Sequence, residues 1–212
     1  MANIRVMLAD DHVVVRSGLR RLLEQSGGME VVAEVDSGEQ AYQWYSEHLP
    51  DVMVMDMSMP GMGGLEALRR IMARHHGARV VIFSMHENAA FASQALSAGA
   101  RGYVAKSEAA EDLVRAVREA AAGRGFISAA VAQKIALQSL SGDDDPTRKL
   151  SAREFEVFRL LAEGRSVEDI AEILKISQKT VANYQTVLKQ KLGILNSVEL
   201  VRLAIRFGVI EG

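Results

Sequence analysis

Along the front of the chain, short apolar runs alternate with segments whose apolar residues recur every three or four positions. The runs fall at 4–9, 31–35, 52–55, 80–83 and 102–105, and the helical periodicities at 13–25, 38–48, 64–75, 88–98 and 109–122. Strands alternating with helices of this length predict βαβ units, right-handed crossovers and a parallel sheet. The runs are nearly unbroken by polar residues, as in strands covered on both faces. The prediction is a doubly wound (β/α)5 α/β domain over residues 1–123.

From Leu150 the pattern is helical only. Ser151 with Glu154 forms a capping box ahead of Phe155, Val157, Leu160 and Leu161, and Gly164 ends that helix. Ser166 with Asp169 opens a second, a break at Lys175-Ile176 follows, and Ser177 caps a third that Gly193 closes. A fourth runs over about 197–207. Short helix, tight turn and longer helix predict an all-α four-helix helix-turn-helix domain at 149–212. Between the two, 128–140 reads as an alanine-rich helix, and Ser141-Gly142-Asp143-Asp144-Asp145-Pro146 as an exposed, solvated spacer. Residues 124–148 thus form a helical extension and linker.

Composition narrows the classes. With no cysteine, disulfides, thiolate catalysis and Cys-ligated metals are excluded. No run approaches the roughly 18 apolar residues of a membrane span, and MANIRVMLADD reaches aspartates before an apolar leader could form. A soluble, cytoplasmic protein with no membrane contact is expected. The net charge of −2 is uneven. Residues 1–146 hold 14 Lys and Arg against 19 Asp and Glu, a net of −5, and residues 147–212 hold 11 against 8, a net of +3. Two domains with different partners fit that asymmetry.

In a parallel sheet the loops after the strands share one edge, where such folds place their chemistry. Asp10 and Asp11 follow the first strand, Asp56 ends the third, Ser84 ends the fourth and Lys106 follows the fifth. Two like charges ~4 Å apart at an effective dielectric of ~20 repel by about 4 kcal/mol. Crowded acids need a counter-charge or take up a proton. A hard divalent cation, Mg2+ in particular, meets that need, and Lys106 adds an ammonium suited to a phosphoryl oxygen.

This set resembles the receiver domain of two-component response regulators over about residues 1–123. The resemblance implies Asp56 as phosphoacceptor, phosphorylated by a sensor histidine kinase. It also implies a Mg2+ site in which Asp11 is the main carboxylate, with Asp10 beside it and Asp56 and the Ser58 carbonyl as further ligands. Lys106 would pair with the phosphoryl group, and Ser84 and Tyr103 would be the switch hydroxyl and aromatic. Two positions depart from the common pattern. Ser107 stands where many receivers carry proline, so no cis-proline is expected, and Met85 is bulkier than the small residue often found there.

The stretch LSAREFEVFRLLAEGRSVEDIAEILKISQKTVANYQTVLKQKLG is similar to the LuxR-type (NarL/FixJ) helix-turn-helix domain over about 149–210. Its Thr-Val-x-x-Tyr variant and C-terminal tail resemble the GacA/UvrY and BvgA-like branch. A receiver joined to this module implies a transcriptional regulator binding double-stranded DNA as a homodimer on activation. On the third helix Val181, Leu188 and Leu192 form the buried stripe. That leaves Lys179, Asn183, Thr186 and Lys189 outward, with Gln185 beside them, and Thr180 and Tyr184 completing the candidate DNA-contacting set. Asn and Gln can read adenine edges, while Lys and Thr suit phosphates. Val198, Val201 and Ile205 on the fourth helix are candidate dimer contacts. Ala182 and Ser197 occupy positions where relatives often carry cations, and relatives often carry another near Thr186. The expected weak monomer therefore needs dimerisation, or a partner such as RNA polymerase, to bind usefully.

Other readings are weaker. A phosphatase forming an aspartyl-phosphate would want a second acid at position 58, which is Ser58. Gly61-Met62-Gly63-Gly64 lacks dinucleotide-loop spacing and reads as a turn and helix entry. The five histidines show no metal spacing and read as surface residues. The cluster Met53, Met55, Met57, Met59 and Met62 reads as packing. An independent enzyme is disfavoured, since no general base accompanies Asp56. Two alternatives from other classes are a regulator working without phosphate and an antagonist that binds a partner and barely touches DNA.

Overall fold

The computed structural model describes residues 3–140 and 145–210. Its first ten elements are β1 (Ile4–Ala9), α1 (Val13–Gln25), β2 (Met29–Val35), α2 (Gly38–His48), β3 (Val52–Met55), α3 (Gly64–Arg74), β4 (Val80–Ser84), α4 (Ala89–Ser97), β5 (Gly102–Ala105) and α5 (Ala110–Ala121). They follow the predicted alternation within two residues at each boundary. All strand pairs are parallel, with β1 lying between β2 and β3. Strand residues alternate between two cores, as the period of two requires. Val6, Leu8, Val54, Val81 and Val104 pack with Leu19 and Leu23 of α1 and Leu113 and Val117 of α5. Met7, Met53, Met55, Ile82 and Tyr103 share the opposite core with Ala41, Leu68 and Phe91 of α2, α3 and α4. Met53, Met55, Met57 and Met59 are buried in that packing.

The sheet has six strands, not five. β6 (Phe126–Ile127) extends it beyond β5, where Phe126 N–H donates to Arg101 O and Ser128 N–H to Tyr103 O. Two residues are too few to display an alternation, so the segment read as helical extension and linker hid a strand. α6 (Ala129–Leu140) follows.

The linker reading also needs correction. Ser141–Asp144 lie outside the described residues, but Asp145 is buried, not solvated. Its carboxylate accepts from Thr147 N–H at 2.9 Å and Thr147 Oγ1 at 2.7 Å, capping a 3-10 turn at Pro146–Lys149. An acid that satisfies backbone donors loses its preference for water.

α7 (Ala152–Ala162), α8 (Val167–Leu174), α9 (Gln178–Leu192) and α10 (Ser197–Arg206) complete the chain. Both capping boxes form, at Ser151–Glu154 and Ser166–Asp169, and Ser177 accepts from Thr180 N–H at the head of α9. The helical domain packs on the receiver-like one. Phe155 of α7 meets Phe91 of α4 edge-on with ring centroids 5.0 Å apart. Gln94 donates to Thr147 O at 2.6 Å, and Gly61 N–H to Ile173 O at 3.0 Å.

Candidate functional site

β1 and β3 are in-register neighbours, Ala9 beside Met55, so the residues just past each strand end meet. Asp10 and Asp56 are 2% and 3% exposed, and Asp11 is half-buried beside them. Lys106, delivered from the end of β5, places Nζ 2.6 Å from Asp10 Oδ2 and 3.3 Å from Asp56 Oδ1. One ammonium thus faces two buried carboxylates and a third at the rim. Burial pushes the Asp56 carboxyl above the ordinary carboxylate range. Lys106 opposes that shift and Asp10 adds to it.

Two oxygens stay unsatisfied. Asp11 Oδ1 and Asp56 Oδ1 are buried without a hydrogen bond. His12 Nδ1 lies 2.8 Å from Asp11 Oδ1, without hydrogen-bond alignment. A buried acceptor without a donor is costly. Asp10, Asp11 and His12 bring ligand atoms within 4.8 Å of one another. Orphaned carboxylate oxygens facing too little positive charge fit a hard divalent cation. His12 was not singled out in the sequence, because its adjacency to Asp11 looks like chance without the fold.

Ser84 Oγ is fully buried and accepts from His86 N–H at 3.1 Å. Tyr103 is fully buried, and its hydroxyl donates to His86 O at 2.6 Å. Both predicted switch residues therefore converge on one residue of the β4–α4 loop. Ser58 is exposed, with Oγ 3.2 Å from His86 Nε2. Met85 is 73% exposed.

His86 departs from the expected surface role. Its ring stacks on Phe91, centroids 3.9 Å apart, because the loop folds it against α4. Burial lowers its pKa to about 4, with Arg159 and Lys106 adding to the effect. The folded chain then binds fewer protons at this site than the unfolded chain between about pH 6.5 and 4. Stability from the neutral ring is present in full above pH 6.5 and is lost as pH falls through 4, by up to about 3 kcal/mol. In an NMR titration the His86 ring signals should stay flat from pH 7.5 to about 5. A midpoint near 6.5 would contradict the burial.

A cavity of about 180 Å3 runs from Asp11 and Ser58 to Phe155, Glu156 and Arg159 of α7. Glu156 is buried there. Desolvation raises its pKa, Glu66 adds to the shift, and Arg153 and Arg159 oppose it. None of these α7 residues was legible as functional, since they read as an ordinary helix face.

On α9, Val181, Leu188 and Leu192 are buried, while Lys179, Asn183, Thr186 and Lys189 are exposed. Thr180 and Gln185 are half-buried, and Tyr184 is half-buried against the core. Thr180 Oγ1 is 2.8 Å from Ser177 Oγ, and Thr186 Oγ1 donates to Ala182 O, so both hydroxyls have local partners. On α10, Val198 and Ile205 are 59% and 42% exposed and Val201 is half-buried.

Residues 6–118 match the family described as Response regulator receiver domain, and residues 148–204 that described as Bacterial regulatory proteins, luxR family. This chain belongs to the response regulators. The regulator is 38% identical to Response regulator UvrY of Escherichia coli K12 over 97% of this chain and 95% of that one. It is also 38% identical to Response regulator GacA of Pseudomonas aeruginosa over 98% of each. Among solved structures it resembles RcsB of Salmonella enterica serovar Typhimurium bound to promoter rprA in the presence of phosphomimetic BeF3−. That match has a TM-score of 0.70 and 30% identity, covering 95% of this chain and 98% of that one. The regulator thus joins a receiver domain to a LuxR-type DNA-binding domain, and none of its described helices is long and apolar enough to cross a membrane.

Proposed function

We propose that this regulator is a cytoplasmic, phosphorylation-dependent transcription factor, with a receiver at 1–123, a connecting segment at 124–148 and a DNA-binding domain at 149–212. The observation that carries the reading is Asp56 itself. It is a buried carboxylate with one unsatisfied oxygen, held 3.3 Å from the Lys106 ammonium at the sheet edge. An Asp56 oxygen attacks phosphorus on a sensor kinase's phosphohistidine, and the histidine nitrogen leaves with the bond electrons. Asp10, Asp11, Asp56 and the Ser58 carbonyl would hold Mg2+, which when bound neutralises charge on the transferring group. The residues here position that group and do not make the chain an independent enzyme.

The phosphoryl group brings roughly −1.5 to −2 charges. Lys106 can turn from Asp10 toward it, and Ser84 Oγ can leave His86 N–H to donate to it. Tyr103 is already inside, so the shift passes to the β4–α4 loop through His86. The α9 face of Lys179, Thr180, Asn183, Tyr184, Gln185, Thr186 and Lys189 then meets double-stranded DNA. Val198, Val201 and Ile205 form the dimer contact, with RNA polymerase as a further partner. Tyr184 lines a cavity together with Glu39, Met62 and Arg70 of the receiver, which supports a recognition helix that is not fully available while the domains are docked.

Intact mass and DNA binding after treatment with acetyl phosphate and Mg2+ test the reading. One phosphoryl group and tighter binding are expected, and a protein that takes no adduct would sink it. Lys189→Ala should weaken binding to all sequences alike and lower the salt slope by about 1, whereas Asn183→Ala should cost about 1–3 kcal/mol and relax specificity. Binding isotherms across a salt series distinguish the two, and an unchanged slope for Lys189→Ala removes it from the phosphate contacts.

A further inference from the structure

Asp10 and Asp11 are neighbours in the chain, yet they are held very differently. Every polar atom of Asp10 has a partner. Its N–H donates to Val35 O of β2 at 3.1 Å, its Oδ1 accepts from His12 N–H at 2.8 Å, and its Oδ2 accepts from Lys106 Nζ at 2.6 Å. Its carbonyl lies one residue past the end of β1 and accepts from Arg16 Nη1 of α1. Asp11 Oδ1, by contrast, is buried without a hydrogen bond. The direction of the Asp11 carboxylate is therefore left to the main chain that carries it.

Arg16 holds that main chain at some cost. Its side chain is 14% exposed, and Nε is buried without a hydrogen bond, with Glu34 Oε2 of β2 3.7 Å away. Arg20, one turn further along α1, takes the other Glu34 oxygen. Burying a guanidinium with so little compensation is unfavourable. The head of α1 has no side-chain cap either, since His12 at the N-cap position accepts nothing from the helix. Arg16 instead reaches back six residues to the peptide joining Asp10 to Asp11. That peptide is planar, so fixing its oxygen fixes its plane and the direction in which Asp11 leaves it.

We propose that Arg16 is a positioning residue for the divalent-cation site: its guanidinium, steadied by Glu34, holds the Asp10–Asp11 peptide so that the Asp11 carboxylate faces the ion. This rests on the reading of Asp10, Asp11, Asp56 and the Ser58 carbonyl as the Mg2+ site. Arg16 acts through Asp11 and not on the reacting atoms.

Calorimetric titration of the full chain with Mg2+ alone, without phosphodonor, reads the effect directly. Arg16→Ala should weaken Mg2+ binding about tenfold or more, as loss of a group that orients metal ligands does. The β1 and β3 amides should stay protected from hydrogen exchange. Only one nitrogen of Arg16 bonds the carbonyl, so Arg16→Lys, which keeps one donor, should recover most of the affinity. With acetyl phosphate, Arg16→Ala should need about tenfold more Mg2+ to reach half its maximal rate, and at saturation should react nearly as fast as wild type. Glu34→Gln should shift the Mg2+ midpoint the same way, by less, and should add nothing in an Arg16→Ala background. A folded Arg16→Ala that binds Mg2+ as tightly as wild type overturns the proposal. So does one that loses stoichiometry and maximal rate at an unchanged midpoint, which is the mark of mere instability. If Arg16→Ala does not fold, Glu34→Gln decides, and Mg2+ affinity there like that of wild type overturns it. Wild type that binds no Mg2+ sinks the metal reading and this proposal together, whereas wild type that binds it beside an unaffected Arg16→Ala sinks only the role of Arg16.

Discussion

Asp56→Asn should take up no phosphoryl group from acetyl phosphate and Mg2+, and should lose the whole phosphate-driven gain in DNA binding. Asparagine keeps the shape of the side chain and fills the same buried position, so the backbone bond from Asp56 N–H to Ala9 O at 2.7 Å is untouched. What disappears is the nucleophilic oxygen and the charge facing Lys106. Lys106 keeps its 2.6 Å contact with Asp10, so no cation is left without a partner and the fold should hold. Removing one of three crowded carboxylates also relieves repulsion. Coupling between sites is typically 5–150-fold in affinity, and that is the gain expected in wild type and absent in the variant. Parallel mass and binding measurements on both chains decide it. An Asp56→Asn chain that still tightens on DNA after treatment would favour a regulator working without phosphate.

Gly64→Ala should damage stability and phosphorylation together. The atoms a Cβ would strike, Asp56 O at 1.9 Å and Met57 Cα at 2.9 Å, are main chain and cannot swing aside. Gly64 N–H also closes the loop on Met57 O at 3.0 Å, so the backbone there has a job to keep. Overpacking of this kind costs about 1–3 kcal/mol. The displaced group is the carbonyl of Asp56 itself, so the carboxylate should move off Lys106 and the rate of adduct formation should fall. A lower urea midpoint with an unchanged slope, alongside slower phosphorylation, is the expected result. If neither changes, the loop accommodates the methyl group and the close approach is not a constraint.

Much of this regulator was readable before any fold was known. Strand ends carrying Asp10, Asp56, Ser84 and Lys106 announce a site because a parallel sheet brings those ends to one edge. The two capping boxes fixed the starts of α7 and α8, since a serine with an acid three residues on satisfies backbone donors locally. The α9 stripe of Val181, Leu188 and Leu192 followed from helical period alone. His86 was misread because its partner Phe91 lies on another element, and Asp145 because its capping role depends on a turn that charge patterning conceals.

Local spacing and periodicity thus determined the elements, the residues that gather at the sheet edge and the outward face of α9. Those properties depend on neighbours a few residues apart, or on a topology with few alternatives. Tertiary structure alone decided that β6 joins the sheet, that Ser84 and Tyr103 meet at His86, and that Glu156 is buried against the receiver. Each depends on which surfaces pack across long separations, and a helix position such as 156 looks the same in sequence whether water or another domain covers it.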